Sequence, residues 1–118
     1  IVIVGQELVG PAHHLLALGT ERQIDAKSDA RQIEDVRAQN GVLIAAHPAR
    51  EFAPAFDARL KAQLDGAEVC HPMGKNANRA RELEQFSEGQ PFAAIGGSDF
   101  LCGLGHDQIG SKFTYLPW

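Results

Sequence analysis

The sequence predicts an α/β fold in which helices cross over between the strands of a parallel sheet. Strand-like and helix-like segments alternate along the chain, and short breaks marked by glycine and proline separate them. The apolar runs are short and continuous, as in strands that are buried on both faces. This rhythm is typical of repeated strand–helix–strand units. Periodicity alone leaves open whether the sheet closes into a barrel or stays open.

The helix boundaries follow from capping residues and apolar spacing. Ser28 can cap the first helix, and Asn40-Gly41 supplies its stop. The helices carry apolar residues at helical spacing, namely Ile33 and Val36, then Phe56, Leu60 and Leu64, then Ala80, Leu83 and Phe86. The predicted helices are therefore 29–39, 55–64 and 75–88. The predicted strands are 1–4, 14–18, 42–46, 67–70 and 92–95, with 112–116 as a candidate last strand.

Length and composition indicate one globular domain. The chain has 118 residues, of which 44% are hydrophobic and 22% charged, a balance typical of soluble proteins. The net charge of -4 and the scattered basic residues argue against a nucleic-acid partner. No apolar stretch approaches the roughly 20 residues that span a bilayer, so no membrane partner is expected. The two cysteines form no C-x-x-C pair, which favours free thiols and a cytoplasmic location.

The chain opens inside an apolar run, at Ile1. We therefore expect a single domain, 1–118, that is incomplete. A sheet that lacks its first strands would expose an edge and apolar surface, so self-association is a further expectation.

Polar side chains follow several of the predicted strands. Glu7, His47, His71 and Asp99 each come at or just after a strand end. The carboxyl ends of parallel strands lie at one edge of the sheet, so these side chains should converge there. His14 begins its strand, and it reaches the same edge only if that strand runs antiparallel to the one before it.

A cluster of carboxylates and imidazoles needs a charge partner, and a divalent cation provides one. Mixed histidine and carboxylate donors suit zinc, manganese or iron. Each residue also has a simpler interpretation. His47 before a proline can be a turn residue, Glu7 a solvated loop residue, and Asp99 the polar residue of a turn.

Four motifs occur in an order that resembles a known family. They are Gly5-Gln6-Glu7 with His14-Leu15-Leu16-Ala17-Leu18-Gly19, then Ala46-His47-Pro48, then Gly66-Ala67-Glu68-Val69, then Gly97-Ser98-Asp99-Phe100. Together they resemble the polymerase and histidinol phosphatase (PHP) family of metal-dependent phosphoesterases. The resemblance covers essentially the whole chain.

The resemblance implies the C-terminal two-thirds of a distorted (β/α)7 barrel, similar to a TIM barrel, that holds two or three metal ions. It implies that Glu7, His14, His47 and Asp99 are metal ligands, and that Asp99 and His47 serve catalysis. The implied reaction is hydrolysis of a small phosphate ester. Arg50 can fork onto a phosphate, and His71 lines the pocket; an exposed solvating charge is an equally good interpretation of Arg50.

Two features depart from the family pattern. The family begins with an H-x-H motif, and none precedes Ile1. The family's last histidine, two residues after Asp99, is Leu101 here, and His106 is a candidate substitute. The alternative to an enzyme is therefore a degenerate, non-catalytic domain that binds a metal or a ligand. A DNA-end nuclease is the least favoured option because of the acidic net charge.

Overall fold

The computed structural model describes residues 3–10, 13–48, 56–70, 86–87 and 89–96 of the 118-residue chain. These residues form one five-stranded mixed sheet whose spatial order, β1-β2-β3-β4-β5, equals the sequence order. The strands are β1 (Gly5–Val9), β2 (His14–Leu18), β3 (Val42–Ala45), β4 (Gly66–Cys70) and β5 (Ala93–Gly96). The helices are α1 (Asp29–Arg37), between β2 and β3, and α2 (Ala58–Lys61), between β3 and β4.

The expected parallel α/β sheet, as two-thirds of a (β/α)7 barrel, is wrong. β1 and β2 pair antiparallel, as do β2 and β3, and only β3-β4 and β4-β5 are parallel. A (β/α) barrel needs a crossover helix between consecutive strands. The connection from Val9 to His14 is too short for one, and the N–H of Gly10 donates to the carbonyl of His13 within that turn. The described residues are therefore a small mixed sheet with few helices.

The first strand lies later than the sequence predicted. Ile3 and Val4, from the predicted strand 1–4, lie outside β1 and are exposed rather than buried on both faces. Glu7 therefore sits inside β1 instead of following a strand. His14 could join the other predicted ligands only if its strand ran antiparallel to the one before it. This condition is met, because β2 runs antiparallel to β1.

The core lies on one face of the sheet. In the pairing register Leu15 opposes both Leu8 and Ala45, so the three side chains share a face, and all are buried. Val36 of α1 and Leu60 of α2 belong to the same cluster. Side chains alternate along a strand, so the intervening residues point to the opposite face. That opposite face carries Glu7, His14, Leu16 and Ile44.

The helices are shorter than predicted. α1 begins after Ser28, as predicted, and ends at Arg37, with Asn40 at a φ of 56° closing the turn. α2 spans only Ala58–Lys61, although the periodic residues that predicted a longer helix, Phe56, Leu60 and Leu64, are all buried. The predicted helix 75–88 and strand 112–116 lie outside the described residues, except that Phe86 and Ser87 are helical. Within the described residues, no helix has the length and apolar character needed to cross a bilayer.

Candidate metal centre

Glu7 and His14 meet on the open face of the β1–β2 hairpin. Glu7 opposes Leu16 in the register and Val9 opposes His14, so Glu7 and His14 are diagonal neighbours on one face. Oε1 of Glu7 lies 2.8 Å from Nδ1 of His14, and each side chain is about one-third exposed. The hairpin alone therefore places a carboxylate against an imidazole.

His47 joins this pair from the end of the neighbouring strand. The N–H of Ala46 donates to the carbonyl of His14 at 3.1 Å, which continues the β2–β3 pairing up to the residue before His47. The His47 ring is edge-on to the His14 ring, with 5.0 Å between centroids and 74° between planes. Nε2 of His47 lies 3.8 Å from Oε1 of Glu7, and the side chain is buried.

The backbone of His47 is unusual. Its φ is +36°, in the left-handed region that residues other than glycine rarely adopt. Holding such a conformation costs about 1–3 kcal/mol and persists only where surrounding contacts impose it. The contacts around His47 therefore hold its backbone in this conformation.

Glu7, His14 and His47 form a group that could hold a metal ion. One ligand atom from each lies within 4.8 Å of the others. Donors bound to a common zinc ion at about 2.1 Å in tetrahedral geometry are about 3.4 Å apart. Side-chain shifts on the order of 1 Å would therefore close the group around one ion. Two imidazoles and one carboxylate are a donor set that both catalytic zinc and non-haem iron sites use.

The Glu7 carboxylate is held in its ionised form by the two histidines. The pKa of Glu7 lies below its ordinary value of 4.5, first because of the polar contact from His47 and then because of the positive potential and hydrogen bonding of His14. Partial burial acts in the opposite direction. An anionic oxygen is therefore available to a cation.

Glu68 is a buried acidic residue beside the site. The sequence analysis named it only as part of a family motif and not as a site residue. It lies on β4, and its Oε2 accepts a hydrogen bond of 2.8 Å from the backbone N–H of His47. The side chain is 8% exposed, which is uncommon for a carboxylate. The signal that could have drawn attention to it was a glutamate inside a short strand otherwise built from small and apolar residues.

The second histidine of the His13-His14 pair has a different environment from the first. His13 faces the core side, where its ring lies 5.2 Å from that of Phe56 and its Nε2 lies 3.3 Å from Oδ1 of Asp29. Asp29 begins α1, so this contact ties the hairpin turn to the helix. His13 therefore belongs to the packing of the fold, and His14 to the candidate centre.

Three further residues of the predicted site cannot be placed. Asp99, predicted as a ligand and catalytic residue, lies outside the described residues, as do Arg50 and His71, predicted to bind substrate. The same holds for Leu101 and His106. Their roles stay predictions from the sequence.

Comparison with known protein families finds no family that matches this chain. Comparison with curated proteins finds no significant relative. The resemblance to the PHP family therefore rests on the motifs alone.

Proposed function

We propose that this chain is a metal-dependent phosphoesterase that hydrolyses a small phosphate ester. The observation that carries the proposal is the convergence of Glu7, His14 and His47, whose ligand atoms lie within 4.8 Å of one another. The order of the four family-like motifs adds support that is independent of the coordinates. Histidine and carboxylate donors favour zinc, manganese or iron, and the resemblance favours two or three ions.

The chemistry of the group suits an anionic substrate. One ionised carboxylate and two neutral imidazoles compensate only half the charge of a divalent ion, so a loaded centre attracts phosphate. When bound, the ion supplies Lewis acidity, which lowers the pKa of a coordinated water and polarises a phosphoryl oxygen. Glu7 contributes the negative charge of the centre, and the imidazoles of His14, in β2, and His47, after the end of β3, contribute its other two donors.

The second candidate function is a degenerate domain that binds a metal or ligand without catalysis. The specific observation in its favour is Leu101, because leucine has no donor atom at the position where the family pattern has histidine. This candidate shares the metal group with the first and differs from it only in turnover.

The test is hydrolysis of p-nitrophenyl phosphate by the purified full-length protein with added manganese or zinc. We expect turnover that a chelator abolishes and that Glu7→Gln and His14→Ala remove. Glu34→Gln, on the exposed side of α1, is the matched control and should retain activity. Turnover that the chelator leaves unchanged would contradict the proposal. Metal binding without turnover, with activity gained in Leu101→His, would establish the second candidate instead.

A further inference from the structure

Glu68 and His47 are joined across two parallel strands. Ile44 opposes Gly66 and Ala45 opposes Ala67 in the β3–β4 register, which brings the residues after Ala45 alongside Glu68. Oε2 of Glu68 accepts from the backbone N–H of His47 at 2.8 Å, and both side chains are buried. The contact therefore acts on the backbone of His47 and leaves the two imidazole nitrogens outside it.

This hydrogen bond acts on the residue whose backbone has the positive φ. The acceptor is a carboxylate oxygen at 2.8 Å, within the ordinary distance of an N–H···O hydrogen bond. A buried carboxylate has little access to water, so it gains more from that donor than an exposed one. The bond thus favours the orientation of the His47 peptide group that accompanies the φ of +36°. That orientation is the one in which the ring reaches Glu7 and His14.

We propose that Glu68 is a positioning residue that holds the His47 backbone in its left-handed conformation and so aims the imidazole at the metal group. The part of this inference that concerns a metal rests on the proposed function. The part that concerns the conformation of His47 does not, because it is a property of the metal-free protein.

Two substitutions separate the length of the Glu68 side chain from its chemical group. Glu68→Gln keeps the length of the side chain and an acceptor oxygen but replaces the carboxyl group by an amide, whereas Glu68→Asp keeps the carboxyl group but withdraws the acceptor by one methylene. Asp65→Asn is the matched control, because Oδ2 of Asp65 accepts from the N–H of Leu43 at 2.7 Å, at the other end of the same strand pair. Comparing these three variants with the unaltered protein distinguishes positioning from a general loss of stability.

The first measurement is amide hydrogen exchange of His47 by NMR in the metal-free protein. We expect exchange of the His47 amide to be about tenfold faster in Glu68→Asp, because it loses its acceptor, and nearly unchanged in Glu68→Gln and Asp65→Asn. The second measurement is the affinity for zinc ion by calorimetry. We expect about 10- to 100-fold weaker binding in Glu68→Asp, the range typical of lost supporting contacts, with most of the affinity retained in Glu68→Gln.

Unchanged exchange of the His47 amide in Glu68→Asp would overturn the inference. Affinity lost equally in Glu68→Gln and Glu68→Asp, with the amide still protected in Glu68→Gln, would also overturn it, because Glu68 would then act as a ligand. If the unaltered protein binds no zinc while Glu68→Asp still exposes the His47 amide, the proposed function fails and the positioning of His47 by Glu68 stands.

Discussion

Replacing Gly66 by alanine should destabilise the protein through the pairing of β4 with β5. A Cβ at Gly66 would collide with the carbonyl oxygen of Ala93 and lie 2.9 Å from Cδ1 of Ile44. Ala93 is the register partner of Gly66, so its carbonyl cannot move without disturbing the ladder. Ile44 is 2% exposed and has little room to yield.

The magnitude follows from these two obstacles. Overpacking by one carbon costs about 1–3 kcal/mol, and an obstructing backbone atom places Gly66→Ala near the upper end. Reduced entropy of the unfolded chain returns about 0.4–1 kcal/mol. The net loss of unfolding free energy is therefore roughly 2 kcal/mol, or about 6–10 °C in the melting temperature of a chain of this size.

The assay is urea and thermal unfolding followed by circular dichroism. Gly89→Ala is the comparison, because Gly89 has a φ of 83° and a Cβ there would meet no atom of the described residues within 4 Å. Gly89→Ala should lose only about 1 kcal/mol of unfolding free energy, because alanine is strained in the left-handed conformation. A melting temperature of Gly66→Ala within about 1 °C of the unaltered protein would refute the β4–β5 register.

Two further predictions concern Glu7 and Arg37. Because the folded-state pKa of Glu7 is lowered, its contribution to stability is complete above the ordinary value of 4.5 and is lost as the pH falls through the folded value. The difference in unfolding free energy between the unaltered protein and Glu7→Gln should thus shrink as the pH is lowered below 4.5 in urea titrations, and a difference that grows on acidification would contradict the pKa direction. Arg37→Ala removes hydrogen bonds of 2.7 Å to Asp65, 2.6 Å to the carbonyl of Gln63 and 3.1 Å to the carbonyl of Gly41. We expect a loss of about 1–2 kcal/mol that high salt reduces only in part, since two of the acceptors are uncharged; a change below about 0.3 kcal/mol would contradict it.

The sequence predicted the strand β2 and the start of α1 correctly, because residues next to these boundaries determine where they fall. The strand His14–Leu18 and the start of α1 after Ser28 agree with the sequence prediction. Gly19, at a φ of 76°, follows the strand, and Ser28 occupies the N-cap position of α1, although its side chain makes no capping hydrogen bond. Burial of Phe56, Leu60 and Leu64 was also predictable, but the length of α2 was not. Buried positions at helical spacing do not need a continuous helix, and α2 ends in tight turns in which Gln63 and Leu64 bond carbonyls three residues back.

The directions of the strands and the bounds of β1 could not be predicted from residues close in sequence. The apolar run 1–4 predicted a strand, yet β1 begins only at Gly5, after that run, and its residue Leu8 packs in the core with Leu15. Short apolar runs are ambiguous until a partner strand is known. The barrel followed from the family resemblance, whereas the sequence left open whether the strand that begins at His14 runs antiparallel to the one before it.

The candidate site was predictable as a set of residue types but not as a geometry. The motifs singled out Glu7, His14 and His47, and the structure brings these three together. The motif favoured His14 over His13 as a ligand, but it did not show which of the two rings faces the core. That choice depends on the pairing register with β1 and β3, which is a property of the folded sheet.

Glu7 and His14 lie on the same hairpin, and this affects the order in which the three donor residues come together during folding. These two donors are brought together by a tight local turn, whereas His47 arrives only after a longer segment containing α1 has closed. Closing the short loop costs less chain entropy than closing the long one. A cation could thus be captured first by a nascent two-strand unit, with His47 docking afterwards and the ion acting as a cross-link between early and late parts of the chain.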